Sequence, residues 1–466
     1  MKKKALIWEK VAVSDYAAEG KSLARVNGKV LFVEGAVPGD VADVRVFKNK
    51  KDWAEGKAVH FHAYAPDRVA PFCEHFSVCG GCKWQMLPYE KQLQYKQQQV
   101  LQHLQHIGHL TLPVSMPICG STDTRHYRNK LEFTFSNRAY LTEKPAEGES
   151  NLPQNALGFH IPRLFDKVLD IRSCPLQDDL NDKIRNTVRE YALANRLPFY
   201  DLRTHEGWLR NLVIRNTTTG EWMVNLCIRH EKKEAREKLL DHLLAEVPAI
   251  TTLLYTVNPK KNDSIFDLDP VVYYGNGYIQ EKLENYVFRI GPKSFFQTNS
   301  RQAEKLYRIV RDFAGLNGTE TVYDLYCGTG SIGIFLSAAA GKIIGVELIA
   351  EAIHDARENA RINHVKNAVF YEGDVIDICN DGFFVAHGRP DVVITDPPRA
   401  GMHEKLLRKL LEMAAPKIVY VSCNPATQAR DLALLGEKYI ISKLQAVDMF
   451  PHTHHIENVV LLEWKE

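Results

Sequence analysis

The order of segments between residues 321 and 423 limits the fold more than any other feature of the chain. Short apolar runs, TVYDLYC, KIIGVEL, AVFYEG, DVVITDPP and KIVYVSC, alternate there with stretches long enough for helices. Such alternation predicts parallel strands joined by crossover helices, a doubly wound Rossmann-like sheet over residues 281–466 whose ligands sit beyond the carboxyl ends of the strands. The rest of the chain reads differently. Residues 1–66 hold short strands (ALIWEKVAV, KVLFVEGAV, VADVRVF, KAVHFHAY) separated by Glu19-Gly20, Asn27-Gly28 and Pro38-Gly39-Asp40. This predicts a small OB-like β-barrel, a design whose surface often binds oligonucleotides. Residues 67–280 pass from a Gln-rich helical pattern, YEKQLQYKQQQVLQHLQHIG, to strand-like runs such as KLEFTFS, NLVIRN and WMVNLCIRH, an α+β domain with an antiparallel sheet. The polar, breaker-rich stretch 142–156 predicts an exposed loop.

A multidomain α/β chain is also what 466 residues require, since one core rarely organises so many. With 45% hydrophobic and 25% charged residues, the composition excludes a disordered chain. No run of about 18 apolar residues is present, and the start lacks a sustained apolar core, so a cytoplasmic protein without a membrane span is expected. A monomer is the default expectation. The net charge of +2 neither demands nor excludes a nucleic-acid partner.

Chemistry-bearing residues fall at the ends of the expected parallel strands. Asp324-Leu325-Tyr326-Cys327-Gly328-Thr329-Gly330-Ser331 is a Gly-rich strand-to-helix turn, which serves many nucleotide-like ligands and sometimes only packing. Glu347 ends the next strand, where a carboxylate can accept from ribose hydroxyls, and Asp374 follows Gly373 at the one after. Either could instead cap a helix. Asp396-Pro397-Pro398-Arg399 holds Asp396 rigidly at a fourth strand end. Amino-group methyltransferases have an aromatic residue after such prolines, whereas Arg399 stands here. Cys423 ends KIVYVSC and is a candidate thiolate nucleophile, against the common alternative of a packed cysteine. Glu457, in a His-rich interruption, is a candidate base, with His455 as its competitor.

Nine cysteines without a secretory segment argue against a disulfide framework. Cys73, Cys79 and Cys82 lie within ten residues around two glycines, a spacing equally suited to zinc or an iron–sulfur cluster. Cys119, Cys227, Cys327 and Cys379 read as packed thiols. Arg125-His126-Tyr127-Arg128-Asn129-Lys130 interleaves basic and aromatic groups, and Arg210, Arg215, Arg229 and Lys48, Lys50, Lys51 add charge. These suit phosphate contact and base stacking, or a solvated surface.

The elements FFQTN (295–299), DLYCGTGSIG, DPPRAG, VSCNPATQARD and DMFPHTHHIE resemble, in sequence and order, those of the RNA 5-methyluridine methyltransferases. The likeness spans essentially the whole chain and points to the 23S ribosomal RNA branch, which carries a TRAM barrel and an iron–sulfur cluster. It implies S-adenosylmethionine as methyl donor and carbon 5 of a uridine as acceptor. Cys423 would add to carbon 6 as the nucleophile, and Glu457 would remove the carbon 5 proton. Gln297, Tyr326, Ser331, Glu347, Asp374 and Asp396 would surround the cofactor and the target base. The likeness also implies Cys174 as fourth ligand, with Cys73, Cys79 and Cys82, of a [4Fe–4S] cluster. Ribosomal RNA is the expected partner, because relatives acting on transfer RNA generally lack barrel and cysteines. Transfer RNA, or a noncatalytic iron–sulfur RNA-binding role, are the alternatives.

Overall fold

The computed structural model describes residues 6–142 and 154–465, so most of the loop expected at 142–156 lies outside the described residues. Strands β1 (Leu6–Tyr16), β2 (Ser22–Val26), β3 (Lys29–Glu34), β4 (Val41–Asn49) and β5 (Trp53–Ala63) close a barrel in the order β1-β2-β3-β5-β4. Alternate residues fill it: Val11, Val13, Leu31, Val33, Ala42, Val44 and Ala54 are buried. Strand β2 was not among the expected runs. Its five residues, SLARV, are too short and too polar to stand out by pattern.

The middle sheet comprises β6 (Lys130–Ser136), β7 (Ala156–Ile161), β8 (Leu164–Asp170), β9 (Leu209–Asn216), β10 (Trp222–Ile228), β11 (Thr252–Val257) and β12 (Val271–Tyr274). Its order is β12-β11-β10-β9-β6-β7-β8, antiparallel as expected except between β10 and β11, which run parallel around the helix Lys233–Glu246. That helix and Asp179–Ala194 seal the face with Leu239, Leu240, Leu243, Ile184 and Val188. A hairpin of β13 (Ile279–Leu283) and β14 (Tyr286–Ile290) leads into the last sheet.

Strands β15 (Thr321–Leu325), β16 (Lys342–Glu347), β17 (Ala368–Glu372), β18 (Val392–Thr395), β19 (Lys417–Ser422), β20 (Tyr439–Val447) and β21 (Glu457–Trp464) form that sheet in the order β17-β16-β15-β18-β19-β21-β20. The first five are parallel, and all but the edge strand β17 are almost wholly buried, as helices on both faces require. The sheet is not parallel throughout, however: β21 inserts antiparallel between β19 and β20. This reversal brings the start of β21 to the edge where the parallel strands end.

The helix Tyr89–His106, inside the stretch read as the middle region, packs on the C-terminal unit. Val100 and Leu104 share one core with Leu432, Leu435 and Leu444. After it the chain runs beside β20, Met116 and Cys119 donating backbone N–H groups to Leu444 and Ala446. No helix among the described residues is long and apolar enough to cross a membrane.

Candidate active site

The β19–β21 ladder ends at the pair Ser422 and Asn458, and the residues read as nucleophile and base, Cys423 just past β19 and Glu457 at the start of β21, both lie at that end. Cys423 is half-buried and Glu457 buried. Burial pushes the thiol up to about 11, assisted by the negative charges of Glu457 and Asp396 and opposed by Arg399. Burial likewise holds Glu457 well above the ordinary carboxylate range, with Asp396 adding to the shift and Arg399 opposing it. Asp396 itself is raised by burial to about 7. These four groups therefore occupy one electrostatic neighbourhood.

Local structure fixes them there. Asn424 caps the helix Pro425–Leu435 through its side chain, with Pro425 in the first turn, and so turns the chain sharply after Cys423. Asn424 Nδ2 and Thr427 Oγ1 both donate to the Arg399 carbonyl, at 3.1 and 3.2 Å, pinning DPPR to SCNP. Buried Asp431 accepts from Tyr420 Oη and the Met402 N–H, both at 2.8 Å, and from Arg430. Gln428 ties the same helix to β21 by donating to the Asn458 carbonyl and accepting from Asn458 Nδ2. The sequence reading assigned no part to Gln428 or Asp431, although their place within VSCNPATQARD was a signal.

His455 is the other candidate base. Burial, His454 and Arg399 push its imidazole down to about 3, whereas Glu457 is shifted upward. Arg399 Nη2 stands 3.5 Å from His455 Nδ1.

The donor-side residues line the strand ends in turn. Tyr326 adopts φ +62°, a left-handed conformation that a non-glycine residue holds only when its surroundings enforce it. Beyond it the Gly328 N–H donates to Glu347 Oε2 at 3.2 Å, and no atom lies within 4 Å of where a side chain on Gly328 would begin. That open, N–H-lined turn beside a carboxylate fits a ribose-bearing ligand. Glu347 also accepts from the Ile349 N–H, and exposed Asp374 accepts from the Ile376 N–H at the start of a short helix. Asp374 thus caps its helix, whereas the helix Ala350–Ile362 takes no side-chain cap from Glu347. Ser331 Oγ lies 2.9 Å from Tyr307 Oη, which Asp396, Asp324 and Glu457 all influence. Gln297 is buried in a loop whose backbone is gripped from the middle sheet. Asn129 Nδ2 donates to its carbonyl at 3.0 Å, and Arg215 donates to the carbonyls of Ser294 and Phe296. Asn299 Nδ2 donates to the Met449 carbonyl, joining this loop to the segment before Glu457.

These contacts correct part of the RNA-contact expectation. Arg215 is buried at 3% exposure, and Arg210, at 1%, binds the carbonyls of Asn258 and Asn262 and the Asp263 carboxylate. Neither can form a groove. Tyr127 is buried with its hydroxyl donating to the Pro451 carbonyl, so its ring is no stacking platform. Arg125 and His126 remain exposed, Arg125 lying over the Phe72 ring at 3.9 Å.

Cys73, Cys79, Cys82 and Cys174 are half-buried, and Cys82 and Cys174 each sense Cys73 and Cys79. Desolvation and the charges of their neighbours raise Cys82 to about 12 and Cys174 to about 11. Among the described residues, however, no group of three or more His, Cys, Asp or Glu side chains is set to hold a metal ion, so the expected metal site is not formed as such. Cys227, Cys327 and Cys379 are packed thiols, as expected.

Known proteins give the same picture. Residues 9–59 match the TRAM domain, residues 310–419 the methyltransferase small domain, and residues 384–465 the tRNA (Uracil-5-)-methyltransferase family. A Bacteroides thetaiotaomicron protein described as an uncharacterized RNA methyltransferase is 54% identical over 452 residues, covering 96% of this chain and 99% of its own. One from Porphyromonas gingivalis, similarly described, is 52% identical over 458 residues, covering 97% and 98%. The solved Pyrococcus abyssi tRNA (uracil-54, C5)-methyltransferase, in complex with S-adenosyl-L-homocysteine, matches with a TM-score of 0.75 at 28% identity, covering 97% of this chain and 100% of that one. The chain belongs to the RNA methyltransferase family, among its TRAM-bearing enzymes of the uracil-5 type.

Proposed function

We propose that this enzyme methylates carbon 5 of a uridine in 23S ribosomal RNA through a covalent adduct between Cys423 and carbon 6. What supports this reading is that Cys423 and Glu457 lie at the same end of the β19–β21 ladder and that the charges of Glu457, Asp396 and Arg399 all act on the Cys423 thiol. S-adenosylmethionine supplies an electrophilic methyl group when bound, and Gln297, Tyr326, Ser331, Glu347, Asp374 and Asp396 are the residues to hold it and the base. The Cys423 thiolate forms a bond to carbon 6, and the ring electrons move to carbon 5 as an enolate. Once carbon 5 carries the methyl group, Glu457 takes the remaining carbon 5 proton. The electron pair then restores the ring double bond and expels the thiolate. A carboxylate with a raised proton affinity suits that last task better than a depressed imidazole. The uridine must leave its stack to enter the site, and exposed Arg125 and His126 are candidates to meet the RNA backbone nearby.

Transfer RNA is the second reading, because the Pyrococcus abyssi protein named for it aligns with 97% of this chain, which takes in barrel residues. A barrel therefore does not separate the two substrates. For the four cysteines we retain the [4Fe–4S] cluster. Cys82 and Cys174 each sense Cys73 and Cys79, so four thiols share one neighbourhood, the donor set such a cluster takes, and its role would be structural or RNA-positioning.

Single-turnover methylation of ribosomal and transfer RNA transcripts by wild type and Cys423→Ala tests the reaction. The variant is expected to lose both methyl transfer and the denaturant-resistant protein–RNA adduct; retained transfer would end the covalent mechanism. Iron and sulfide analysis of anaerobically purified wild type and Cys174→Ala tests the cluster, and absence of both from the wild type would exclude it.

A further inference from the structure

The segment Asp448–His455, which delivers the chain to Glu457, does not support itself. His452 adopts φ +64°, unfavourable for any residue but glycine, so its neighbours must hold it. They come from sequence-distant elements. Gln92, on the helix Tyr89–His106, accepts the His452 N–H at 2.8 Å through Oε1 and donates to His452 Nδ1 at 3.1 Å through Nε2. The His452 carbonyl accepts the N–H groups of Lys83 and Trp84 at 2.8 and 3.0 Å. One turn along the same helix, Lys96 pairs with Asp448 at 2.6 Å and donates to the Phe450 carbonyl at 3.1 Å. Both side chains of that pair have zero exposure. Tyr127 Oη closes the set on the Pro451 carbonyl at 2.9 Å.

A fully buried ion pair is poor value for stability alone, since apolar residues of similar volume commonly serve as well or better. Here its members fix backbone geometry at a strained position a few residues before Glu457. We infer that Gln92, Lys96 and Tyr127 are positioning residues for the proton-removal step: they touch no reacting atom but set where the Glu457 carboxylate stands. This rests on the reading of Glu457 as base.

The consequence is step-specific. A displaced Glu457 leaves thiolate addition and methyl transfer intact but slows removal of the carbon 5 proton, so the methylated adduct cannot break down. With an RNA transcript that the wild type methylates, Gln92→Met is expected to lower turnover on the order of tenfold to a hundredfold. A denaturant-resistant, methyl-labelled protein–RNA adduct should accumulate, with S-adenosylmethionine affinity unchanged. Glu457→Gln is the reference and must accumulate the same adduct; if it does not, the reading of Glu457 as base fails rather than this inference. If Glu457→Gln traps adduct while Gln92→Met either turns over like wild type or loses turnover without adduct, the inference is overturned. Tyr127→Phe deletes one hydroxyl without opening a cavity, and severalfold slower turnover with partial adduct build-up is expected of it. Should Gln92→Met fail to fold, Tyr127→Phe decides alone, and normal turnover there refutes the inference.

Discussion

A thiol that must react as thiolate stands beside two carboxylates, and the physical consequence is measurable. Burial, Glu457 and Asp396 together push Cys423 up to about 11, against 9.0 for the unperturbed group. Its alkylation by iodoacetamide, followed on the Cys423 peptide, should therefore still be rising with pH above 9. Glu457→Gln removes one of the opposing charges, so the thiolate is disfavoured less, and the alkylation profile should move to lower pH. A profile unmoved by that substitution would mean that the two groups do not sense one another. Cys423 and Glu457 could be singled out as candidates because a thiol at a strand end and a carboxylate in a polar interruption have recognisable chemistry. Arg210 and Arg215 were misread because a basic residue in a one-dimensional string carries no mark of burial. Only the carbonyls converging on them reveal structural roles.

Among elements, the Gly-rich turn after β15 makes a demand that can be measured. Gly330 has φ +74°, and a Cβ there would lie 3.0 Å from Ala356 Cβ and from the Phe370 ring. Gly330→Ala is expected to cost roughly 1–3 kcal/mol from backbone strain and crowding, read as a lower denaturant midpoint. S-adenosylmethionine affinity should fall with it in calorimetry, because the same turn presents the Gly328 N–H beside Glu347. An unchanged midpoint would show that the helix Ser331–Leu336 can shift to absorb a methyl group. The parallel strands were readable from their apolar runs. The antiparallel insertion of β21 was not, because ENVVLLEW has the same apolar character in either direction.

At the scale of the whole molecule, Tyr16 is one of the groups that dock the barrel. Tyr16 at the end of β1 meets the buried Trp84 ring edge-on with centroids 5.8 Å apart, within a small cluster of Val37, Ala65, Met86 and Leu87. Tyr16→Ala should cost roughly 3 kcal/mol, as aromatic truncations at packed sites do, and make residues 64–72 an early site of limited proteolysis. Cleavage as slow as in wild type would mean that the docking does not depend on this ring. Trp84 also links this cluster to the segment before Glu457, its backbone N–H donating to the His452 carbonyl. By itself, the sequence determined the element types, the alternation that makes the C-terminal sheet, and the residues capable of the chemistry, because periodicity and side-chain reactivity are local properties. Only the tertiary structure decided that Cys423 and Glu457 share one neighbourhood and that Tyr89–His106 belongs to the C-terminal core. It alone decided, too, which cations are consumed inside the protein, because register, burial and charge proximity exist only once distant segments share space.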